Sequence, residues 1–178
     1  LHNQRGHQAL RLMEIDAVSS VIRPLIDERS ETFIDYAGKR FLHIMADGER
    51  AIWMSERTGW NHLDLIDLTT GERRPLTSGD WVVRAVDEVD ESKGTIRIRL
   101  MGIDPDQDPY HVHHATISIT DGSMTRLTRG DGTHELEFSP DGEHYIDRWS
   151  RVDRPPVHEL RRSSDGGLVT TLAIADHA

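Results

Sequence analysis

Apolar and polar residues alternate along most of the chain with the period of two that belongs to extended strands. Ile96, Ile98 and Leu100 alternate with Arg97 and Arg99, which places apolar side chains on one face and solvated ones on the other. Leu63 and Leu65 alternate within His62 to Leu68, and Ile117 and Ile119 within Ala115 to Thr120. Each run ends at a tight turn, containing Gly71 or Gly122. Asp47-Gly48, Lys93-Gly94 and Asp141-Gly142 are further hairpin turns, because glycine tolerates the positive φ that short connections between twisted strands demand. No segment carries a helical period of useful length.

The pattern repeats. Arg74-Pro75-Leu76-Thr77-Ser78-Gly79-Asp80 aligns with Arg126-Leu127-Thr128-Arg129-Gly130-Asp131, and Thr70-Gly71 with Asp121-Gly122, at an offset of about 51 residues. Arg23-Pro24-Leu25 precedes the first of these by the same offset. A second register keeps the same order: Asp47-Gly48-Glu49 and Ile52 through Ser55-Glu56-Arg57 recur as Asp141-Gly142-Glu143 and Ile146 through Ser150-Arg151. Each repeat reads as four short antiparallel strands, the pattern of a propeller blade. The fold class predicted is all-β, a single partial β-propeller over residues 1–178 with about three and a half blades. The last two strands of one blade fall in residues 7–27, and full blades in 40–77, 81–128 and 133–173. The incomplete blade presents an unpaired edge, and exposed edges invite self-association.

At 178 residues the chain is long enough for a real core, burying roughly 70% of the surface its unfolded form exposes. No apolar run approaches the roughly 20 residues of a membrane span. Acidic residues outnumber basic ones 31 to 21, for a net charge of -10, which argues against nucleic acid as a partner because such binding rests on Lys and Arg neutralising phosphates. Absence of cysteine excludes disulfides, thiolate catalysis and Cys-ligated zinc. The opening Leu1-His2-Asn3-Gln4-Arg5 has neither an initiator methionine nor a signal pattern, so the chain is expected to be an excised piece.

Four segments give the pattern an affiliation. Ile52-Trp53-Met54-Ser55-Glu56-Arg57-Thr58-Gly59-Trp60-Asn61-His62-Leu63 resembles the W-x-S-E-R-x-G-[WY]-N-H-L string of the dipeptidyl peptidase IV family, within the prolyl oligopeptidase clan of serine peptidases. Leu76-Thr77-Ser78-Gly79-Asp80-Trp81, Phe138-Ser139-Pro140-Asp141-Gly142, and Tyr145 to Pro156 with Ser150-Arg151-Val152-Asp153-Arg154-Pro155-Pro156 follow in the order of that family's N-terminal propeller. The resemblance implies a parent enzyme that removes dipeptides from peptide N-termini, often after proline or alanine. Its Ser-Asp-His triad would lie on a C-terminal α/β-hydrolase domain, the partner that this propeller caps, with peptides as substrates and no cofactor. It also implies a periplasmic or secreted location. Relatives bind the substrate amine through a pair of glutamates on an earlier propeller insertion, and no adjacent Glu-Glu pair occurs here. Trp53, Ser55, Glu56, Arg57, Gly59, Trp60, Asn61, His62, Gly79, Asp80, Trp81, Ser150, Arg151, Asp153 and Pro155 therefore carry over as structural motif positions, without catalytic or binding roles.

The residues themselves offer little catalytic chemistry. No Gly-x-Ser-x-Gly elbow is present to expose a serine nucleophile, so the chain by itself is expected to be inactive. His111 and His113 share a strand face and could offer two imidazoles to a metal, but a site normally needs three or four ligands, and the segment His111 to His114 reads better as an exposed strand start. Asp104, Asp106 and Asp108 begin like a calcium loop. Pro109 and Ala115 then stand where that loop needs glycine and glutamate, which leaves an acidic surface turn. Trp53, Trp60, Trp81 and Trp149 read as wedge fillers between adjacent sheets, although Glu56 and Arg57 beside Trp60 could also form a binding cluster. The paired prolines put Arg151 to Pro156 at a sheet edge or rim. Two main functions compete: a non-catalytic, gating and substrate-selecting portion of a dipeptidyl peptidase, and a free-standing propeller that binds a protein or ligand. A small metal site at His111 and His113 is a third.

Overall fold

The computed structural model describes residues 1–175, which form fifteen strands and no helix. They divide into two compact units, Leu1–Gly79 and the remainder from Asp80. All strands pair antiparallel, in one three-stranded and three four-stranded sheets, the architecture of a partial β-propeller.

The first unit contains β1 (His2–Asn3), β2 (Ala9–Ile15) and β3 (Ile22–Arg29) in one sheet. The second sheet runs in chain order through β4 (Leu42–Ile44), β5 (Arg50–Ser55), β6 (His62–Asp67) and β7 (Arg73–Pro75). β1 adds two residues to a sheet whose other strands the sequence pattern signals; so short a strand has no periodicity to read. Leu10, Leu12 and Ile26 from the first sheet pack with Ala51, Trp53 and Ile66 from the second. Trp53 is 1% exposed and anchors this core. Burying each large apolar side chain stabilises by about 1.5–3 kcal/mol.

In the second unit β8 (Val82–Asp90), β9 (Thr95–Met101), β10 (His113–Ser118) and β11 (Met124–Arg126) form one meander. β12 (Thr133–Phe138), β13 (His144–Arg151), β14 (Arg154–Arg162) and β15 (Leu168–Ile174) form the other. The alternation at Ile96, Ile98 and Leu100 buries all three, and their cross-strand partners on β10 are Ile117, Ala115 and His113. The inward row thus ends on an imidazole.

The turns foreseen at Gly48, Gly71, Gly94, Gly122 and Gly142 all hold positive φ. An aspartate closes each: Asp47 Oδ1, for example, accepts the Glu49 N–H at 2.9 Å and the Arg50 N–H at 3.1 Å. Hydrogen bonds of this kind, with the Ser123 N–H first among them, pull the Asp121 carboxyl down to about 2.

Of the two placements foreseen for Arg151 to Pro156, the edge strand is corrected: β14 lies between β13 and β15, and the segment makes the β13–β14 turn at the strand ends and the first residues of β14. The sheet tolerates Pro155 and Pro156 because the β13–β14 register shifts between Trp149 and Arg151, and the register with β15 starts at Val157.

Candidate functional site

In the first unit the family string converges on a carboxylate that lies outside it. Ile26 and Glu28 share a face of β3, so the alternation that buries Ile26 also carries Glu28 inward. Glu28 accepts hydrogen bonds from Trp53 Nε1 at 3.3 Å, Ser55 Oγ at 2.7 Å, Arg57 Nη2 at 3.0 Å and Arg73 Nη1 at 3.2 Å. Arg73 also lies 3.6 Å from Asp64, whose carboxyl is pushed above the usual range by burial against the pull of that guanidinium. Trp53, Ser55 and Arg57 therefore tie β5 to β3. Beside them a hollow of about 270 Å³ is lined by Glu28, Phe33, Lys39, Trp53, Glu56 and Arg57. Glu56 is held at its mouth by Lys39 Nζ at 2.6 Å.

The rest of the string forms the β5–β6 turn. Gly59 adopts φ +93°, and the ladder closes with Ser55 opposite His62. Trp60 falls beyond that last pair and is 42% exposed. Its expected role as a wedge filler is corrected: the turn carries the indole off the pleat, while Asn61 and His62 return the chain to the interior. Trp81 is buried at the entry to β8 and Asp80 before it is exposed.

His62 belongs to a polar clasp that recurs. Its Nδ1 lies 3.0 Å from Thr77 Oγ1 and its Nε2 2.9 Å from the Gly79 carbonyl, while Thr77 Oγ1 accepts the Leu63 N–H at 2.9 Å. In the second unit His113 Nδ1 lies 3.2 Å from Thr128 Oγ1, which accepts the His114 N–H at 2.9 Å. The two clasps stand at the same spacing of about 51 residues as the Leu-Thr markers, a signal present in the sequence but masked by the neighbouring histidines.

His113 and His114 are thus buried, which corrects the reading of this segment as an exposed strand start. The apolar ladder of β9 draws it inward, and threonine, glutamine and main-chain partners satisfy the rings. His111 instead approaches Asp131 at 3.3 Å. Asp104 receives both guanidinium nitrogens of Arg126, at 3.2 and 2.8 Å, and Asp108 accepts the Tyr110 N–H. Among the described residues no group of three or more His, Asp or Glu is disposed to hold a metal ion.

The fourth family segment, Tyr145 to Pro156, is also a packing device. His134 Nδ1 is bound to the Asp147 carboxylate at 2.8 Å, both side chains fully buried, and Trp149 stacks on His134. Trp149 Nε1 donates to Glu159 at 3.3 Å, and Arg161 bridges Glu159 and Asp147. Ser150 pairs with Thr133, Arg151 binds Asp131 and Asp153, and Pro155 is half-buried at the start of β14. These networks are frameworks of buried ion pairs and hydrogen bonds.

Antiparallel four-stranded sheets repeated around tryptophan, histidine and carboxylate anchors define a propeller. The chain matches the family described as the "Dipeptidyl peptidase IV (DPP IV) N-terminal region" over residues 2–156, and it belongs to that family. It is similar to the crystal structure of Porphyromonas gingivalis dipeptidyl peptidase 4, with a TM-score of 0.70 at 23% identity, over 97% of this chain and 24% of that one. A second solved chain, from Bacteroides ovatus, gives a TM-score of 0.73 at 17% identity, over 98% of this chain and 27% of its own length. A curated relative, "Probable dipeptidyl peptidase 4" of Aspergillus flavus, is 29% identical over 68 residues, 38% of this chain and 9% of that protein. The chain thus spans a quarter or less of the length of the first relatives of each kind that it matches.

Proposed function

We propose that this chain is the non-catalytic propeller portion of a serine dipeptidyl peptidase, where it restricts entry so that short peptides, and not folded proteins, reach a hydrolase domain carried elsewhere in the parent. The observation that carries this reading is the family match over residues 2–156, which includes the Trp53-to-Leu63 string. The network around Glu28 supports a framework role for that string, because its polar groups are spent on one another rather than turned to a ligand. Substrate peptides and a C-terminal α/β-hydrolase domain are the partners this reading names.

The test compares the parent, expressed from its extended reading frame, with the isolated chain on a Xaa-Pro chromogenic substrate and on a folded protein bearing the same N-terminal dipeptide. Cleavage of the small substrate by the parent alone, with the folded protein spared, is the expected result. A parent lacking hydrolase activity would replace this reading with a free-standing binding propeller, and equal cleavage of both substrates would remove the gating role.

We further propose that the isolated chain self-associates through β15, a sheet-edge strand on which Leu168, Leu172 and Ile174 are all exposed. Light scattering that shows a concentration-independent monomer would overturn this.

A further inference from the structure

The chain reversals of the second unit differ in kind between its two ends. In each meander the first and third turns lie at one end of the sheet and the second at the other, because the strands run antiparallel. The turns over residues 91–94, 119–123, 139–143 and 163–167 are polar. They are closed by Asp90, Asp121, Asp141 and Asp165, and none of them holds an exposed large apolar side chain. The second reversals do. Tyr110, on the β9–β10 connection, is 78% exposed, and Val152, at the tip of the β13–β14 turn, lies wholly in water.

Both reversals are held in place. On the β9–β10 connection Arg126 binds Asp104, the Gln107 N–H donates to the Asp104 carbonyl at 3.1 Å, and Gln107 Oε1 lies 2.9 Å from His113 Nε2. Pro105 and Pro109 stiffen the backbone between these points. Asp108 Oδ1 accepts the Tyr110 N–H at 2.9 Å, and the Asp108 carbonyl accepts the His111 N–H at 3.0 Å. The other reversal is tighter still: only Val152 and Asp153 separate the paired Arg151 and Arg154, and the Arg151 guanidinium donates to both Asp153 oxygens at 2.9 Å. Asp131 joins the two, since it faces His111 at 3.3 Å and binds Arg151. These contacts fix the backbone and leave in water the Tyr110 ring, the Val152 side chain, and Asp106 and Asp108, which form no ion pair among the described residues.

A mobile loop that bares an apolar side chain loses binding energy to its own ordering, and a fixed loop does not. Tyrosine on such a loop is the residue type that anchors protein interfaces. A propeller that caps another domain meets it with one end of its sheets, because the sheet faces are packed on neighbouring sheets. Only one end of this unit is apolar. We propose, resting on the cap role given above, that the end of the second unit bearing Tyr110 and Val152 docks on the hydrolase domain of the parent, and that the end with the four polar turns faces water. The solved relatives, of which this chain covers 24% and 27%, have ample further chain for such a partner. Tyr110 and Val152 meet an apolar recess on that domain, and Lys or Arg at its rim meets Asp106 and Asp108.

The experiment places the photo-crosslinker p-benzoylphenylalanine in the parent at position 110 and, as the control in a polar turn, at position 93. Irradiation is expected to join position 110, and not position 93, to peptides of the domain that carries the nucleophilic serine. Val152→Asp and Asp106→Lys should each lower that yield about tenfold, the loss of one anchoring contact. Neither should move the melting curve of the isolated chain, because both side chains stand in water there. Activity of the parent on the Xaa-Pro substrate separates the two ways of failing. A parent without hydrolase activity overturns the cap role and this docking with it. An active parent in which position 110 joins nothing in the hydrolase domain, or no more than position 93 does, overturns the docking face alone, as does a yield that neither variant lowers. If the variants do not fold, the cross-links from positions 110 and 93 decide.

Discussion

Glu28 stands in β3 and Arg57 in the turn that follows β5 of the next sheet, 29 positions apart, yet the guanidinium donates to the carboxylate at 3.0 Å. That contact changes the meaning of the family string. Read along the chain, Ser55-Glu56-Arg57 looks like a cluster of reactive groups; in space, Ser55 and Arg57 serve a buried acid that also takes the Trp53 N–H and Arg73.

Glu28→Ala removes the acceptor shared by Trp53, Ser55, Arg57 and Arg73, while Arg73 keeps Asp64 and Arg57 is open to solvent. The cost is that of buried donors left unsatisfied, about 1–3 kcal/mol. In a urea titration the transition of the first unit should move to lower denaturant by that amount, and an unchanged midpoint would show that the Glu28 network contributes nothing.

Two tryptophans in the same string should behave oppositely. Trp53→Ala empties a core position and should cost about 3–5 kcal/mol. Trp60→Ala removes a 42% exposed indole and should cost less than about 1 kcal/mol. Melting curves of the two variants side by side check this; comparable losses would mean that Trp60 packs against something in solution.

Thr77→Val keeps the shape of the clasp but removes both the acceptor for the Leu63 N–H and the donor to His62. The expected loss is about 1–3 kcal/mol, the cost of buried polar groups left unsatisfied, and Thr77→Ser should recover most of it. Equal stability of valine and serine variants, measured by denaturant titration, would dismiss the clasp as a stabilising feature.

Glycines of similar φ should differ by their neighbours. A Cβ on Gly166 (φ +70°) would fall 2.4 Å from the Arg126 carbonyl oxygen, a backbone atom that cannot yield. At Gly94 (φ +65°) nothing lies within 4 Å. Gly94→Ala should cost about 1 kcal/mol, for the left-handed conformation alone. Gly166→Ala should add the overpacking penalty, about 1–3 kcal/mol more. Calorimetry that finds the two variants equally stable would mean that the β14–β15 turn stands away from β11.

The all-β class, the strand alternation, the glycine turns and the repeat were all legible in the chain, because each is a local property. A period of two determines which side chains share a face, and an Asp-Gly or Lys-Gly dipeptide determines where the chain reverses. The affiliation of the Trp53-to-Leu63 string was legible for the same reason, as a run of adjacent residues.

What the string does was decided only by the fold. Glu28 stands in a strand with no mark of importance except an acidic residue in phase with Ile26, and its donors come from two other strands of a different sheet. Trp60 and Trp53 are the same residue type seven positions apart, but the turn at Gly59 puts one outside and the ladder puts the other inside. His113 reads as a polar strand start until β9 supplies the apolar row that draws it in and Thr128 and Gln107 arrive to satisfy it. Sequence by itself determines periodicity and turn chemistry, which act over a few bonds. Burial of a polar group depends on partners brought from distant positions, and only the tertiary structure assembles those.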